Sequence, residues 1–422
     1  MNQKVAIIGG GLTGLTAAIR AAQQGYEVDL YEAAPSLGGR TRSFFHPPTQ
    51  TWIDNGPHLL IGVYQRTQAL LKEVNACSHI QWQNTLALPL WDEQRGHFSL
   101  STSDKLPFSL ALIHAVLNMP QHGWTSMPSL IRLAISMKFS QQGSVSDWMS
   151  RQHISAQLQQ DLIEVLCLGA MNEPMQHADA ASFCFVLQKA FSKHQYARLG
   201  WFNKPLSQAL IQPLEAYCQQ LGVRIHTSSR IVQLKKNAQD YTLHTHQTQH
   251  TYKHIIMATS PSVRNQLLAI QEHLETQTIC NIHLWFQEKV ELPHPFIGAI
   301  GCYGQWFFDV SQQHQTHSGL SHICVVISAD QSTFSKQEKL DRVLQELKQI
   351  SKNPKLKPIY YKFITIKDAT NVVRSHQKST MPEHIIDACE QPQSGELPAT
   401  IETAVMRGED AVAQLLNLLQ VT

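Results

Sequence analysis

Residues Gly9-Gly10-Gly11-Leu12-Thr13-Gly14 follow directly on the apolar run Val5–Ile8 and open a stretch of helical spacing from Leu12 to Gln24. A glycine turn between strand and helix narrows the choice of fold sharply, because three positions must each do without a side chain. Gly9 permits the tight turn, Gly11 lets the backbone come up to a pyrophosphate, and Gly14 lets helix and strand pack closely. The free N–H groups at the helix start, around Leu12 and Thr13, are donors for phosphate oxygens. Gly25 closes the helix, and Val28–Tyr31 reads as a second strand ending at Glu32, eighteen residues past Gly14. A carboxylate there accepts hydrogen bonds from an adenosine ribose and repels a 2′-phosphate. A bare glycine turn without ligand would satisfy the motif alone, but strand, glycines, helix, strand and acid all stand in register. A dinucleotide site is expected.

The next residues narrow the nucleotide. Glu32-Ala33-Ala34-Pro35-Ser36-Leu37-Gly38-Gly39-Arg40-Thr41-Arg42 continues into a second glycine turn bearing two arginines, a phosphate-facing loop that simple nicotinamide sites lack. Asp54-Asn55-Gly56-Pro57-His58 makes a further tight turn.

A chain of 422 residues exceeds what one hydrophobic core fills, so two domains are expected. The balance of 34 Lys plus Arg against 32 Asp plus Glu, with no block of like charge, argues against nucleic acid as a partner. Eight cysteines without a CxxC pair fit reduced thiols in a cytoplasmic enzyme. His244, His246 and His250 alternate along a Thr- and Gln-rich hairpin with no carboxylate or thiolate at ligand spacing, so they read as solvent-facing and no metal is expected. The first apolar run is short and breaks into glycines, which makes it a strand and not a signal peptide. The longest apolar stretch, Phe108 to Met119, is too short to span a bilayer.

Cys77 to Pro205 reads as a mostly helical insertion rich in Leu, Ile, Met and Trp. Strands are expected at Val223–Ile225, Arg230–Leu234, Tyr241–His244 and His254–Ala258, and a second sheet from Asn281–Phe286, Gln305–Val310 and Ile323–Ser328. A last helix, Thr400 to Leu419, has one apolar face that should return to the first domain.

GxGxxG, an acid and then Gly38-Gly39-Arg40 together resemble the flavin-containing amine oxidase and carotenoid desaturase superfamily. Within it, the chain is similar to the squalene-associated FAD-dependent desaturases, the hydroxysqualene dehydroxylases of bacterial hopanoid pathways. Asp54 to Gly62, Leu166 to Asn172 with Ala180 to Leu187, and Leu397 to Glu402 carry that likeness, which spans nearly the whole chain. The resemblance implies an α/β fold, with an FAD-binding Rossmann-like domain of glutathione-reductase type and a discontinuous α+β substrate domain. The boundaries expected are 1–76, 205–275 and 380–422 for the first, and 77–204 and 276–379 for the second, a helical insertion plus an antiparallel sheet.

Carried over residue by residue, the resemblance implies noncovalent FAD with Gly9, Gly11, Leu12, Thr13 and Gly14 at the pyrophosphate, Glu32 and Ala33 at the ribose, and Gly38, Gly39 and Arg40 at the phosphate and ribityl region. Gly56, Pro57 and His58 would lie near the isoalloxazine, the backbone of Val232 near adenine, and Ala399, Thr400 and Ile401 at the flavin pyrimidine edge. The superfamily has Gly-Asp shortly before the Pro-Ala-Thr-Ile-Glu run, whereas this chain reads Asp387-Ala388-Cys389-Glu390. Glu390, with one residue of slippage, is the candidate substitute for that aspartate; the altered loop either weakens FAD retention or has drifted while binding survives on the other contacts, the second being the expected reading. Cys389 stands in place of the glycine without flanking glycines to present it, so no covalent flavin is expected.

The implied reaction is reductive removal of an allylic hydroxyl, with a lipophilic isoprenoid in an apolar tunnel and one polar group near the flavin. His58 is the first candidate proton donor, because imidazole titrates near neutrality; the competing reading is a histidine that fixes its loop. Asn172 and Glu173 are candidates to orient the hydroxyl, or else caps of a helix end. Trp306 and Phe307 face the ring or pack in the core. Phe108–Met119 and Met127–Phe139, with Trp124 between them and Arg132 and Lys138 on the polar side, form either core or a peripheral membrane surface on the cytoplasmic side, where other squalene or hopanoid pathway enzymes are candidate partners. Rival functions are a carotenoid-type desaturase, an amine oxidase with a lysine near the flavin, for which Lys189 and Lys204 are poorly placed, and a terpenoid-binding scaffold that has lost FAD.

Overall fold

In the computed structural model, residues 3–272, 274–314, 319–373 and 380–420 are described, the side chains of 419 and 420 apart. Val5, Ala6, Ile7 and Ile8 are buried on both faces of Lys4–Ile8, as a central strand of a covered parallel sheet requires. Five strands run parallel in the spatial order Arg224–His226, Glu27–Tyr31, Lys4–Ile8, His254–Met257 and Ile385–Asp387. Sequence order therefore reverses beside Lys4–Ile8, which puts a crevice at the carboxyl ends of that strand and of His254–Met257. The sheet gathers strands from three distant parts of the chain. The helix Leu12–Gln23 covers it, and the helix Ile401–Gln420 packs on Leu12–Gln23 so closely that a Cβ on Gly408 would lie 2.6 Å from the Thr13 carbonyl oxygen.

A three-stranded antiparallel meander, Gln233–Lys236, Tyr241–His244 and Gln249–Tyr252, stands beside this sheet. Its first strand begins later than Arg230, because Arg230 and Ile231 form cavity wall and the Val232 N–H donates to the His244 carbonyl oxygen. His246 and His250 are exposed and His244 is half-buried.

The second large sheet has seven strands in the order Tyr360–Asn371, Thr276–Phe286, Ser321–Ile327, Trp306–Asp309, Phe296–Ala299, Ala87–Asp92 and Gly96–Ser101. It is mixed and not purely antiparallel, since Phe296–Ala299 and Ala87–Asp92 pair in parallel. The segment expected to be mostly helical is thus corrected at both ends: Ile80–Trp82, Ala87–Asp92 and Gly96–Ser101 are strands, and Leu199–Phe202 is another. Leu88, Pro89, Leu90 and Trp91 are all buried, so this strand has no alternation to distinguish it from a buried helix. Helices fill the rest, among them Phe108–Leu117, Met127–Ser136, Val145–Arg151, Glu164–Met171 and Ala180–Ala190.

Arg95, in the turn between Ala87–Asp92 and Gly96–Ser101, ties this sheet to the helices. Its guanidinium meets both oxygens of the fully buried Asp161, one at 2.7 Å, and His122 approaches the same carboxylate at 2.9 Å. Burial alone would push the Asp161 carboxyl up, but Arg95 holds it well below the usual carboxylate range.

Candidate functional site

A single cavity of about 910 Å³ runs from the crevice of the parallel sheet to the interior of the helical layer. Its polar end is made largely of backbone. Gly9 has φ +114°, and a Cβ there would lie 2.3 Å from the Ala258 carbonyl oxygen across the crevice. A Cβ on Gly14 would fall 1.9 Å from the Gly9 carbonyl oxygen, so Gly14 serves the packing of helix on strand and does not itself line the cavity. Beside Gly11 the space is open: a Cβ there would meet nothing within 4 Å.

The helix Leu12–Gln23 has neither a side-chain cap nor an acid in its first turn, which leaves its positive end for an external anion. Glu32 is fixed by two backbone donors, the N–H of Gly10 at 2.8 Å and that of Ala34 at 2.7 Å. The second glycine loop folds over this turn, with the Gly38 N–H donating to the Gly10 carbonyl oxygen at 2.8 Å. An open space at Gly11, an uncapped helix end, an immobilised carboxylate and cationic side chains beyond them fit the adenosine and diphosphate of FAD.

Arg40 leaves that loop to pair with Glu390 and to donate to the Ala369 carbonyl oxygen. Glu390 also accepts the Asn371 N–H at 2.8 Å. Burial would raise its pKa, but Arg40 and Arg407 bring it below the usual value, so it is an anion at neutral pH. Cys389 turns away from the cavity, and its buried thiol, raised by desolvation, donates to the Met257 carbonyl oxygen.

The Asn55–His58 turn borders the middle of the cavity. Asn281, from the strand Thr276–Phe286, donates to the Asn55 carbonyl oxygen at 2.9 Å, and a Cβ on Gly56 would lie 3.0 Å from its amide nitrogen. Asp54, beneath the turn, accepts from Ser43 Oγ at 2.6 Å and from the Leu206 N–H, and burial raises its carboxyl to about 6. His58 lines the cavity, but burial, with the Arg40 charge added, lowers its imidazole to about 4. The expected near-neutral titration is therefore corrected: His58 is a neutral imidazole at pH 7.

Beyond this turn the walls are apolar, supplied by Leu88, Leu100, Leu166, Val186, Trp306 and Phe308 among others. Trp306 closes on Gly169, where a Cβ would lie 3.0 Å from the indole Cζ2, whereas Phe307 points into the core on the other face of the sheet. Asn172 lines the cavity in a left-handed conformation at a helix end, with both polar atoms engaged: its amide donates to Thr370 Oγ1 at 2.9 Å and its oxygen accepts the Ala329 N–H at 2.8 Å. Glu173 is buried behind it and lies outside the lining.

Of the residues the sequence nominated, Gly9, Gly11, Leu12, Thr13, Glu32, Ala33, Gly38, Gly39, Arg40, Gly56, Pro57, His58, Asn172, Glu390, Ala399, Thr400 and Ile401 meet on one cavity. Gly14, Val232 and Glu173 do not; Val232 is 43% exposed, and Ser229, Arg230 and Ile231 take the place next to it. Arg407 and Asn281 line the cavity as well, outside the sequence-derived set. Arg407 was accessible to periodicity, since Thr400, Ala404 and Arg407 fall at i, i+4 and i+7 on one helix face. Asn281 belongs to a sheet distant in sequence and carries no local signal.

Residues 12–369 match the family described as flavin containing amine oxidoreductase. The hydroxysqualene dehydroxylase of Zymomonas mobilis is 24% identical over 97% of this chain and 98% of its own. The 15-cis-phytoene desaturase of Narcissus pseudonarcissus is 19% identical over 82% of this chain and 65% of its own. Among solved structures, cyclohexylamine oxidase from Brevibacterium oxydans superposes with a TM-score of 0.69 at 16% identity, with full coverage of both chains. An oxidoreductase from Methanosarcina mazei superposes with a TM-score of 0.75 at 15% identity, covering 97% of this chain and 100% of that one.

Proposed function

The chain belongs to the flavin containing amine oxidoreductases and is an FAD-dependent oxidoreductase, and from that premise we propose that it converts hydroxysqualene to squalene by reductive dehydroxylation. The observation that carries this reading is the continuity of the cavity: its apolar arm opens directly from the Gly56–His58 turn, so a long hydrocarbon and the dinucleotide share one enclosure. In the reaction the allylic C–O bond breaks, a C–H bond forms, and the hydroxyl leaves as water with one added proton. Bound FAD, reduced, supplies the hydride.

The part of this chain is binding, orientation and exclusion of water. When FAD is bound, Gly9, Gly11, Leu12 and Thr13 would hold the diphosphate, Glu32 and Ala33 the ribose, and Gly38 to Arg40 with Glu390 the ribityl region. Gly56 and Pro57 would border the ring, and Ala399 to Ile401, at the start of a helix capped by Thr400 Oγ1, would meet its pyrimidine edge. His58, neutral and facing the cavity, relays the proton by accepting at one ring nitrogen while donating from the other. Asn172 makes one hydrogen bond at each polar atom, which leaves each with capacity for a second, so it would orient the hydroxyl and not carry the proton. The nucleotide-binding unit is 1–76, 205–275 and 380–422, and the substrate unit is 77–204 and 276–379; the stretch 374–379 on their border lies outside the described residues.

The substrate dissolves in membranes, and the chain has a surface suited to reach them. Leu110, Ile131, Ile135 and Phe139 stand out from Phe108–Leu117, Met127–Ser136 and the residues after them, with Trp124, 80% exposed, between. No helix among the described residues is long and apolar enough to cross a membrane, so attachment by this face would be peripheral, with other squalene or hopanoid pathway enzymes as neighbours.

An anaerobic sample with reduced flavin, mixed with hydroxysqualene and followed by mass spectrometry, is expected to yield squalene and oxidised flavin. Desaturation is the second reading, favoured by the likeness to phytoene desaturase. It predicts the opposite flow: squalene or phytoene reducing oxidised flavin would replace the first proposal. An amine oxidase role has less support, since neither Lys189 nor Lys204 lines the cavity.

A further inference from the structure

The cavity wall around Glu390 carries two arginines, Arg40 and Arg407. Arg40 is committed to Glu390 and to the Ala369 carbonyl oxygen. Arg407 lines the same wall, and among the described residues it has no carboxylate within ion-pair distance. Its position follows from the helix packing. Gly408, next in sequence, presses against Thr13, Thr16 and Ala17 in the first turns of Leu12–Gln23, with Cβ distances of 2.6 to 3.0 Å had it a side chain. Residue 407 is thereby held next to the first two turns of that helix, on the helix face it shares with Thr400 and Ala404.

Half-buried with its open part on the cavity, an arginine whose charge Glu390 only partly offsets needs a counter-anion, or its desolvation is uncompensated. Burial indeed lowers its pKa despite the nearby carboxylate. Arg40 and Glu390 are paired with each other and Glu32 is taken up by the Gly10 and Ala34 N–H groups, which leaves Arg407 as a cation on this wall open to an anion near the positive helix end.

We propose that Arg407 binds the FAD diphosphate directly and makes good the retention lost where Cys389-Glu390 replaces Gly-Asp. Glu390, longer than aspartate and fixed by Arg40 and the Asn371 N–H, anchors the loop, while Arg407 supplies the charge that grips the phosphates. The inference rests on FAD binding and stands whichever isoprenoid reaction the enzyme performs.

The test compares FAD with riboflavin, which has the same ring and no phosphate, for binding to the apoprotein, followed by flavin fluorescence quenching. For Arg407→Met, FAD affinity is expected to fall about ten- to a hundredfold, the range of one charge-assisted hydrogen bond, with riboflavin affinity unchanged. Arg407→Lys should lie between the variant and the natural chain. The FAD affinity of the methionine variant should also depend less on salt. Equal loss for both flavins, or no loss for either, would overturn the proposal. Arg407→Gln repeats the comparison if the methionine variant does not fold.

Discussion

At its polar end the cavity is walled by backbone: glycines at 9, 11, 38 and 39, and the starts of two helices, Leu12–Gln23 and Ile401–Gln420. At its apolar end it is walled by side chains, Leu88 and Leu100 from an edge hairpin, Leu166 and Val186 from two helices, Trp306 from a third region of the chain. The first end tolerates almost no substitution, because a Cβ at Gly9 or Gly14 would collide with backbone that cannot move aside. The second tolerates many, since hydrophobic exchanges that keep volume cost little. The end that fits FAD is thus the rigid one, and the apolar end is the one free to vary.

The sharpest way to break this contrast is Gly14→Val, whose Cβ would sit 1.9 Å from the Gly9 carbonyl oxygen. The expected product is a colourless protein with FAD affinity down about a thousandfold or more, as overpacking at a rigid junction implies. A yellow, normally saturable variant would show that the polar end is less rigid than described.

Asp161→Ala tests the apolar side. It leaves Arg95 buried without its main partner, and removal of one member of a buried pair costs about 3–5 kcal/mol. A fall in melting temperature is expected, measured by calorimetry, with the flavin spectrum of the folded protein unaltered. A changed spectrum below the transition would couple the two ends.

Acidification acts on the region between them. Burial lowers His58, His254 and His314 to about 4 and His283 to about 3, and it depresses His322 well below its ordinary value. Between those values and the ordinary 6.5, the unfolded chain binds more protons than the folded one, so stability drops as pH falls through that window. Asp54 and Asp309, both raised to about 6, work in the opposite sense between 6 and 3.8. Five histidines against these two carboxyls leave a net loss, and the melting temperature at pH 5 should lie about 5 °C or more below that at pH 7.5. A flat profile would mean that the histidines are solvated.

Gly169→Val is the mildest change. It pushes Trp306 into the apolar arm and should lower kcat/KM for the isoprenoid about tenfold while FAD binding stays the same. His58→Gln should leave the pH-rate profile between 6 and 8 without a new inflection, because the imidazole it replaces is already neutral there.

The difference between the two ends also explains what could be read from the amino acids in order. Gly9 to Glu32 lies within a single strand-helix-strand unit, where spacing alone reports geometry, and those residues met on the cavity as expected, Gly14 by packing. The Ala87–Ser101 hairpin was read as helix because its apolar run had no alternation, and His58 was read as titrating near neutrality because nothing local announces the desolvation and the Arg40 charge that depress it. Val232 missed the cavity by one position, since the strand start depends on a pairing with His244 across the meander.

Local sequence therefore determined the dinucleotide turn, its acid and the second glycine loop, because backbone conformation and side-chain absence are properties of consecutive residues. Only the tertiary structure decided which side chains line the apolar arm, that Arg40 closes on Glu390 350 residues away, and that Arg407 lines the cavity with no carboxylate at ion-pair distance among the described residues. Burial and electrostatic partnership arise between segments that the chain brings together late, and no short stretch encodes them.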